Sequence, residues 1–325
     1  MALLQVSGVS KKEKEIFTVK DISFTQQPFQ KIAIAGETGS GKTTLLKMIA
    51  GLVQPDAGEL LFEGKKVRGP NDQLIPGQAG IAFLSQDFEL RNNYHVHEIL
   101  SYANLLTQEE ADRLYRICRI DHLLNRRTDQ LSGGEKQRIA LTRLLIGSPR
   151  LLLLDEPFSN LDEMHRHIIQ SVTNDINARL GISCIMVSHD APDILPWADT
   201  ILVLKDGRLL QSGRPEEIYR QPVDEYCAAL FGSYNLLNHT DARLLFSPAI
   251  IQPAGKKLMV RPEQLVINEQ KGITAIVRHV FFMGSYYTLE ADTGSQLIKI
   301  RTGKNVFKEG DSITLSLNME INWWL

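Results

Sequence analysis

Gly36-Glu37-Thr38-Gly39-Ser40-Gly41-Lys42-Thr43 is a stretch whose residue types and spacing amount to chemistry. It fits the pattern GxxxxGK[ST], follows the apolar run of residues 32–35 and precedes the helical run of residues 45–50, the strand, loop and helix order that a phosphate cradle requires. Glycines let backbone N–H groups converge on phosphate oxygens without a Cβ in the way, and the helix N-terminus adds partial positive charge. Lys42 brings a full charge to the β- and γ-phosphates, Thr43 offers its hydroxyl to Mg²⁺, and Thr44 continues the same turn. By itself the loop specifies a nucleoside triphosphate and no more.

A second constellation lies downstream. Residues 151–154 form an apolar run that delivers Asp155-Glu156-Pro157 at its carboxyl end, where ligands bind in open parallel sheets. One carboxylate there can hold Mg²⁺ while its neighbour orients and deprotonates water. Leu131-Ser132-Gly133-Gly134-Glu135, followed by Lys136-Gln137-Arg138, puts a hydroxyl and bare backbone N–H groups at a helix start, another place to grip phosphate. Ser188-His189-Asp190 ends a further apolar run.

In order and spacing these pieces resemble the ATP-binding cassette (ABC) ATPases over roughly the first 230 residues. The resemblance implies that Gln86 is the Q-loop residue, Ser159-Asn160-Leu161-Asp162 the D-loop and His189 the switch histidine, with Gln86 and Asp155 joining Thr43 as Mg²⁺ ligands and Glu156 the general base. It also implies that Ser132 and Gly134 grip the nucleotide of a second copy, so the cofactors are ATP and Mg²⁺ and the working form is a homodimer through the nucleotide sites. One departure stands out. The family commonly stacks adenine on an aromatic residue about two dozen positions ahead of the loop, where this chain has Lys11-Lys12-Glu13-Lys14-Glu15, leaving Phe17 to stack on the base or to serve its own strand's core. His95 and His97 alternate on a short strand or turn without a third ligand and are read as ordinary surface or packing residues.

Positioning these groups takes a doubly covered sheet. Apolar runs at residues 151–154, 182–187 and 201–204, the first two separated by a helical pattern over 163–180, predict parallel strands with helices on both faces. Short apolar pieces over residues 3–34 predict strands, and residues 96–146 turn to helical spacing without proline. From about residue 233 the texture is β-branched and aromatic, with turns at Asp292-Thr293-Gly294-Ser295 and Glu309-Gly310-Asp311. The pattern is that of an α/β fold, and the resemblance implies a P-loop NTPase (RecA-like) core with an antiparallel β subdomain and a helical subdomain at about residues 87–147, all within 1–232. A small all-β barrel follows in 233–325, the boundary being set by Phe231-Gly232-Ser233 and by Pro248 and Pro253 beyond it. Val260-Arg261-Pro262-Glu263-Gln264-Leu265, Phe282-Met283-Gly284-Ser285 and Lys308-Glu309-Gly310-Asp311 resemble the TOBE barrel of importers of sugars, polyamines, ferric iron, sulfate or molybdate, and imply a role in dimerisation or regulation.

Bulk properties narrow the partners. A chain of 325 residues exceeds the roughly 250–300 at which one core stops growing, so two folded units are expected. With 36 Lys+Arg against 38 Asp+Glu the net charge is −2, which argues against nucleic acid as a partner. A 43% hydrophobic fraction is globular, no apolar run nears the ~20 residues of a membrane span, and the start lacks a secretory h-region. Three dispersed cysteines, Cys118, Cys184 and Cys227, favour a reducing compartment. The expectation is an ATPase on the cytoplasmic face of the inner membrane, driving separate permease subunits fed by an extracytoplasmic solute-binding protein. The alternatives are an exporter motor, or a cassette ATPase acting on ribosomes or DNA, types that usually carry two cassettes, coiled coils or zinc sites.

Overall fold

Alternation of apolar and polar residues over the first 26 positions produces two long antiparallel strands whose buried residues, Leu4, Val6, Val9, Val19 and Ile22, share one side of the sheet with the core. The computed structural model describes residues 1–86, 90, 93–102, 104–159, 161–245, 253, 255–268, 272–317 and 323–325. Asp87 at the start of the expected helical subdomain, Asn160 of the expected D-loop and Pro248 of the linker fall outside the described residues.

Two compact units are present, Met1–Pro215 and Glu216–Leu325. The first runs, in chain order, β1 (Leu4–Glu13), β2 (Ile16–Gln26), β3 (Lys31–Ala35), α1 (Lys42–Ile49), β4 (Ala57–Phe62), β5 (Lys65–Lys66) and β6 (Ile81–Leu84). It continues through α2 (Val96–Ser101), α3 (Gln108–Ile117), α4 (Gly133–Leu145), β7 (Leu151–Asp155), α5 (Glu163–Leu180), β8 (Ser183–Val187), α6 (Ala191–Ile194), β9 (Thr200–Lys205) and β10 (Arg208–Gly213). One sheet is antiparallel, in the order β2-β1-β4-β5, and the other has the order β10-β9-β3-β8-β7-β6, parallel except for its β10 edge. Helix α1 buries Leu45, Leu46, Met48 and Ile49 in a core shared with both sheets, which fixes the end of β3 against the start of α1. All five residues of β7 and of β8 are buried, as expected for strands covered on both faces.

The helical stretch is not continuous. Thr107 caps α3, with its hydroxyl accepting from Glu110 N and the Glu110 carboxylate accepting from Thr107 N, and Ser132 caps α4 in the same reciprocal way. His95 is the N-cap of α2 and His97 lies inside that helix, rather than on a strand, their rings stacked 5.6 Å apart with Nδ1 atoms on the carbonyls of Asn125 and Leu124.

The second unit holds α7 (Pro215–Arg220), α8 (Glu225–Leu230), β11 (Asn235–Leu237), α9 (His239–Leu245), β12 (Leu258–Val260), β13 (Leu265–Ile267), β14 (Ile273–Phe282), β15 (Tyr287–Asp292), β16 (Leu297–Thr302), β17 (Ser312–Leu317) and β18 (Trp323–Trp324). Five strands form one antiparallel sheet, β13-β17-β14-β15-β16, whose edges β13 and β16 meet, so it is nearly closed into a barrel around Val277, Leu289, Ile298, Ile300 and Leu315. A side sheet, β11-β12-β18, completes the unit. Arg261 explains why α7 and α8 group with these strands: 1% exposed, it donates to the carbonyls of Tyr219, Ala228, Gly232 and Ser233 and lies 4.2 Å from the Tyr219 ring. It thereby satisfies carbonyls that the ends of two helices leave unpaired. The cut at Pro215 follows these contacts, whereas the boundary at residue 232 follows the end of the helical pattern. Among the described residues no helix is long and apolar enough to cross a membrane.

Candidate functional site

Strand β3 ends at Ala35 and the chain turns through Gly36 to Gly41 before α1 begins at Lys42. Gly41, at φ +95°, is the N-cap, and a Cβ there would stand 2.1 Å from the Thr18 carbonyl oxygen of β2. Glycine is therefore required twice over, for its left-handed backbone and for the close approach. Lys42 is buried, and its ammonium donates to Gly36 O at 2.7 Å and Glu37 O at 2.8 Å, clamping the loop while leaving one of its three protons for a further acceptor. Burial pushes the Lys42 pKa down, opposed by the nearby carboxylates of Glu156, Asp155 and Glu37. Within the loop Ser40 donates its N–H to Glu37 O, and its buried hydroxyl has no hydrogen-bond partner among the described residues.

The two carboxylates arrive from β7. Asp155, its last residue, accepts from the Thr43 hydroxyl at 2.9 Å, and burial raises its pKa. Thr43 and Asp155 thus present two hard oxygen ligands side by side, which suits Mg²⁺, an ion held by one or two carboxylates together with phosphate and water oxygens. Glu156 follows in a left-handed conformation, φ +49°, unusual for a residue with a Cβ. Three hydrogen bonds hold it there: Glu156 N to Val187 O at 3.0 Å, and Ser159 N at 3.2 Å and Ser159 Oγ at 2.8 Å to Glu156 O. The backbone turn aims the carboxylate at His189, just beyond β8, whose Nδ1 lies 3.0 Å from each Glu156 oxygen. Hydrogen bonding to Glu156 holds the His189 pKa above its ordinary value.

Thr38, Gly39, Gly41, Lys42, Thr43, Thr44, Gln86, Glu156 and His189 line one cavity of about 300 Å³, together with Thr18 of β2. Gly36, Glu37 and Ser40 shape the loop behind it, and Asp155 is reached through Thr43. Ser132, Gly134 and Asp162 do not line it. Ser132 caps α4 and Asp162 caps α5, accepting from His165 N at 2.9 Å. The two glycines after Ser132 differ: Gly133 has open space where a Cβ would stand, whereas at Gly134 a Cβ would lie 2.3 Å from the His165 ring.

The motif reading passed over Thr18 and His165. Both act through contacts with glycines distant in sequence, and neither carries a local signal. Phe17 is half-buried on β2 with the ammonium groups of Lys12 and Lys20 at 4.8 and 4.9 Å from its ring centre, so its aromatic surface is engaged by cations.

The profile of the family described as ABC transporter matches residues 19–159, and that of the TOBE domain matches residues 258–325. The spermidine/putrescine import ATP-binding protein of Clostridium acetobutylicum is 30% identical over 335 residues, covering 97% of this chain and 94% of that protein. The Fe(3+) ions import ATP-binding protein of Serratia marcescens is 32% identical over 337 residues, covering 98% and 97%. Among solved structures, cbiO1 of Clostridium perfringens, part of an ABC transporter complex, superposes with a TM-score of 0.59 at 26% identity over 67% of this chain and 90% of its own. A dimeric ATP-binding cassette in a post-hydrolysis state, bound to ADP and Pi, gives 0.54 at 25% identity over 65% and 98%.

Proposed function

The chain belongs to the ATP-binding cassette family, as an ATPase of the import type with a C-terminal TOBE domain, and from that premise we propose that two copies sandwich ATP to drive solute uptake through separate permease subunits. The observation that carries the reading is the single cavity in which Lys42, Thr43, Gln86, Glu156 and His189 converge. Lys42 binds the β/γ-phosphates with its remaining proton, and Glu156 takes the proton of the attacking water while His189, bonded to both its oxygens, fixes its direction. Mg²⁺ would be held by Thr43 and Asp155, with Gln86 at the cavity wall, and supplies neutralisation of phosphate charge. Residues 1–232 form the nucleotide-hydrolysing part.

Ser132, Gly134 and Asp162 lie apart from this cavity in their own chain, which supports a shared site: the helix start at Ser132 meets the nucleotide of the other copy. The subunit sits on the cytoplasmic face of the membrane. Relatives named for polyamine, ferric iron, molybdate/tungstate, glucose and sulfate import lie at 30–36% identity, so cargo choice belongs to the permease and its external binding protein rather than to this chain.

Glu156→Gln tests the reading. The amide preserves shape but accepts no proton, so turnover of the purified chain should fall by about 10²–10⁴-fold with ATP affinity retained. ATP should then double its mass in light scattering. Unchanged hydrolysis removes Glu156 as the base, and no gain of mass at high protein concentration removes the shared site.

A further inference from the structure

His165 stands at the third position of α5, where its backbone N–H and its ring meet the same carboxylate. Asp162 Oδ1 accepts from His165 N at 2.9 Å, and the ring Nδ1 lies 2.9 and 2.8 Å from the two Asp162 oxygens. An ionised carboxylate only accepts, so Nδ1 carries the proton and the ring orientation is fixed by the cap of its own helix. The side chain is 27% exposed, and its inner edge faces Gly134. Its Cδ2, Cγ and Cβ occupy the space beside Gly134 at 2.3, 2.8 and 3.0 Å from where a Cβ would be, which is why Gly134 is buried while Gly133, one residue earlier, is open.

Gly134 lies in the first turn of α4, directly after the Ser132 cap. A helix start leaves its first N–H groups without intrahelical partners, and in α4, 13 residues long, they point the way an anion is bound. How that turn is oriented therefore depends on what packs against Gly134. Side-chain ties also fix the two helices relative to the β7 and β8 ends. Gln137 of α4 donates to the carbonyl of Pro157, next to Glu156. Arg166, adjacent to His165, donates to Asp193 at 2.9 Å and to Asp190, the neighbour of His189.

We infer that His165 is a positioning residue: held by Asp162, its imidazole sets the placement of the Ser132–Gly134 turn that receives the nucleotide of the second copy. This rests on the shared-site reading proposed above and adds a residue outside its motifs. The consequence follows from geometry, because a displacement of an anion-binding turn by about 1 Å is enough to cost a large factor in a preorganised site. Removing the ring leaves a void against Gly134 into which the turn can settle. Removing only its hydrogen bond leaves bulk without direction. The residue binds no nucleotide in its own chain, since it does not line the cavity that Lys42 and Glu156 share.

The experiment uses the full chain in the Glu156→Gln background, with ATP-driven dimerisation followed by light scattering and ATP affinity of the dilute monomer followed by calorimetry. His165→Ala and His165→Leu should each weaken dimerisation by at least about tenfold, the scale of one lost hydrogen bond to a charged group, with monomer ATP affinity changed by less than about twofold. His165→Asn, whose amide can donate to Asp162 in place of Nδ1, should regain most of the loss. Gly134→Ala, which drives the ring aside, should reproduce the defect and add little to it when combined with His165→Ala. Dimerisation of His165→Ala equal to its parent overturns the role, as does a Leu variant that behaves like Asn, or a loss matched by an equal loss of monomer ATP affinity. A parent that gains no mass with ATP overturns the shared site itself and this role with it. A parent that dimerises while His165→Ala keeps pace overturns the role of His165 alone.

Discussion

His189 Nδ1 is equidistant, at 3.0 Å, from the two carboxylate oxygens of Glu156. The bond raises the His189 pKa above the ordinary 6.5, so the folded chain holds the imidazolium to higher pH than the unfolded chain does. The stabilisation is complete below about pH 6.5 and fades as pH rises through the raised folded value. The His189 side chain is 55% exposed, so solvent screening keeps the difference to about 1 kcal/mol or less. His189→Gln should therefore lower the unfolding midpoint most at pH 6 and converge on the parent in the alkaline range. A constant gap at all pH values in parallel denaturant titrations would mean that the pair contributes through packing rather than charge.

Lys42→Ala should weaken ATP binding by about 10- to 100-fold, the value of one charge-assisted hydrogen bond. The side chain is buried and already clamps Gly36 O and Glu37 O, so the variant also loosens the loop that carries the phosphate-facing amides. Calorimetry on the purified variant is the measurement, and affinity equal to the parent would show that the loop amides alone hold the phosphates.

Arg261→Met should destabilise the C-terminal unit by about 1–3 kcal/mol, because methionine fills much of the volume but leaves the buried carbonyl of Ala228, and the partly buried ones of Gly232 and Tyr219, without the guanidinium's hydrogen bonds. The expected result is a lower denaturation midpoint for that unit, with ATP affinity at Lys42 unchanged. An unaltered midpoint would assign those carbonyls to water.

Elements with a strict period were legible in the sequence. The helical pattern over residues 163–180 is α5, and the apolar runs over 151–154 and 182–187 are β7 and β8 to within one residue. Alternation and helical spacing are local, and burial of one face enforces them. The phosphate loop was legible for the same reason, since its glycines answer to backbone geometry within a few residues. What escaped depends on partners far along the chain. His165 matters because Gly134 is 31 positions away, and Arg261 because its acceptors are backbone carbonyls that every residue possesses. Helix α9 escaped because its seven residues are too few to display a period.

The proposed function makes Gln86 the candidate link between the cavity and the permease. It follows β6 by two residues and lines the cavity with Lys42 and Glu156, while its backbone leads toward the helical segment that begins at α2. On the proposed reading, the γ-phosphate and the Mg²⁺ held beside it would bias the position of this side chain. Coupling between two sites is reciprocal in free energy, so a permease that responds to the loop must also bias nucleotide handling. Gln86→Ala is therefore expected to reduce the permease-stimulated hydrolysis, by about 5- to 150-fold for a coupling of ordinary size, and to reduce it more than the basal rate of the free subunit. Hydrolysis is to be measured with and without the reconstituted permease and its binding protein. Equal loss in both conditions would make Gln86 a local ligand of the Mg²⁺ region only, and no loss in either would take it out of the site.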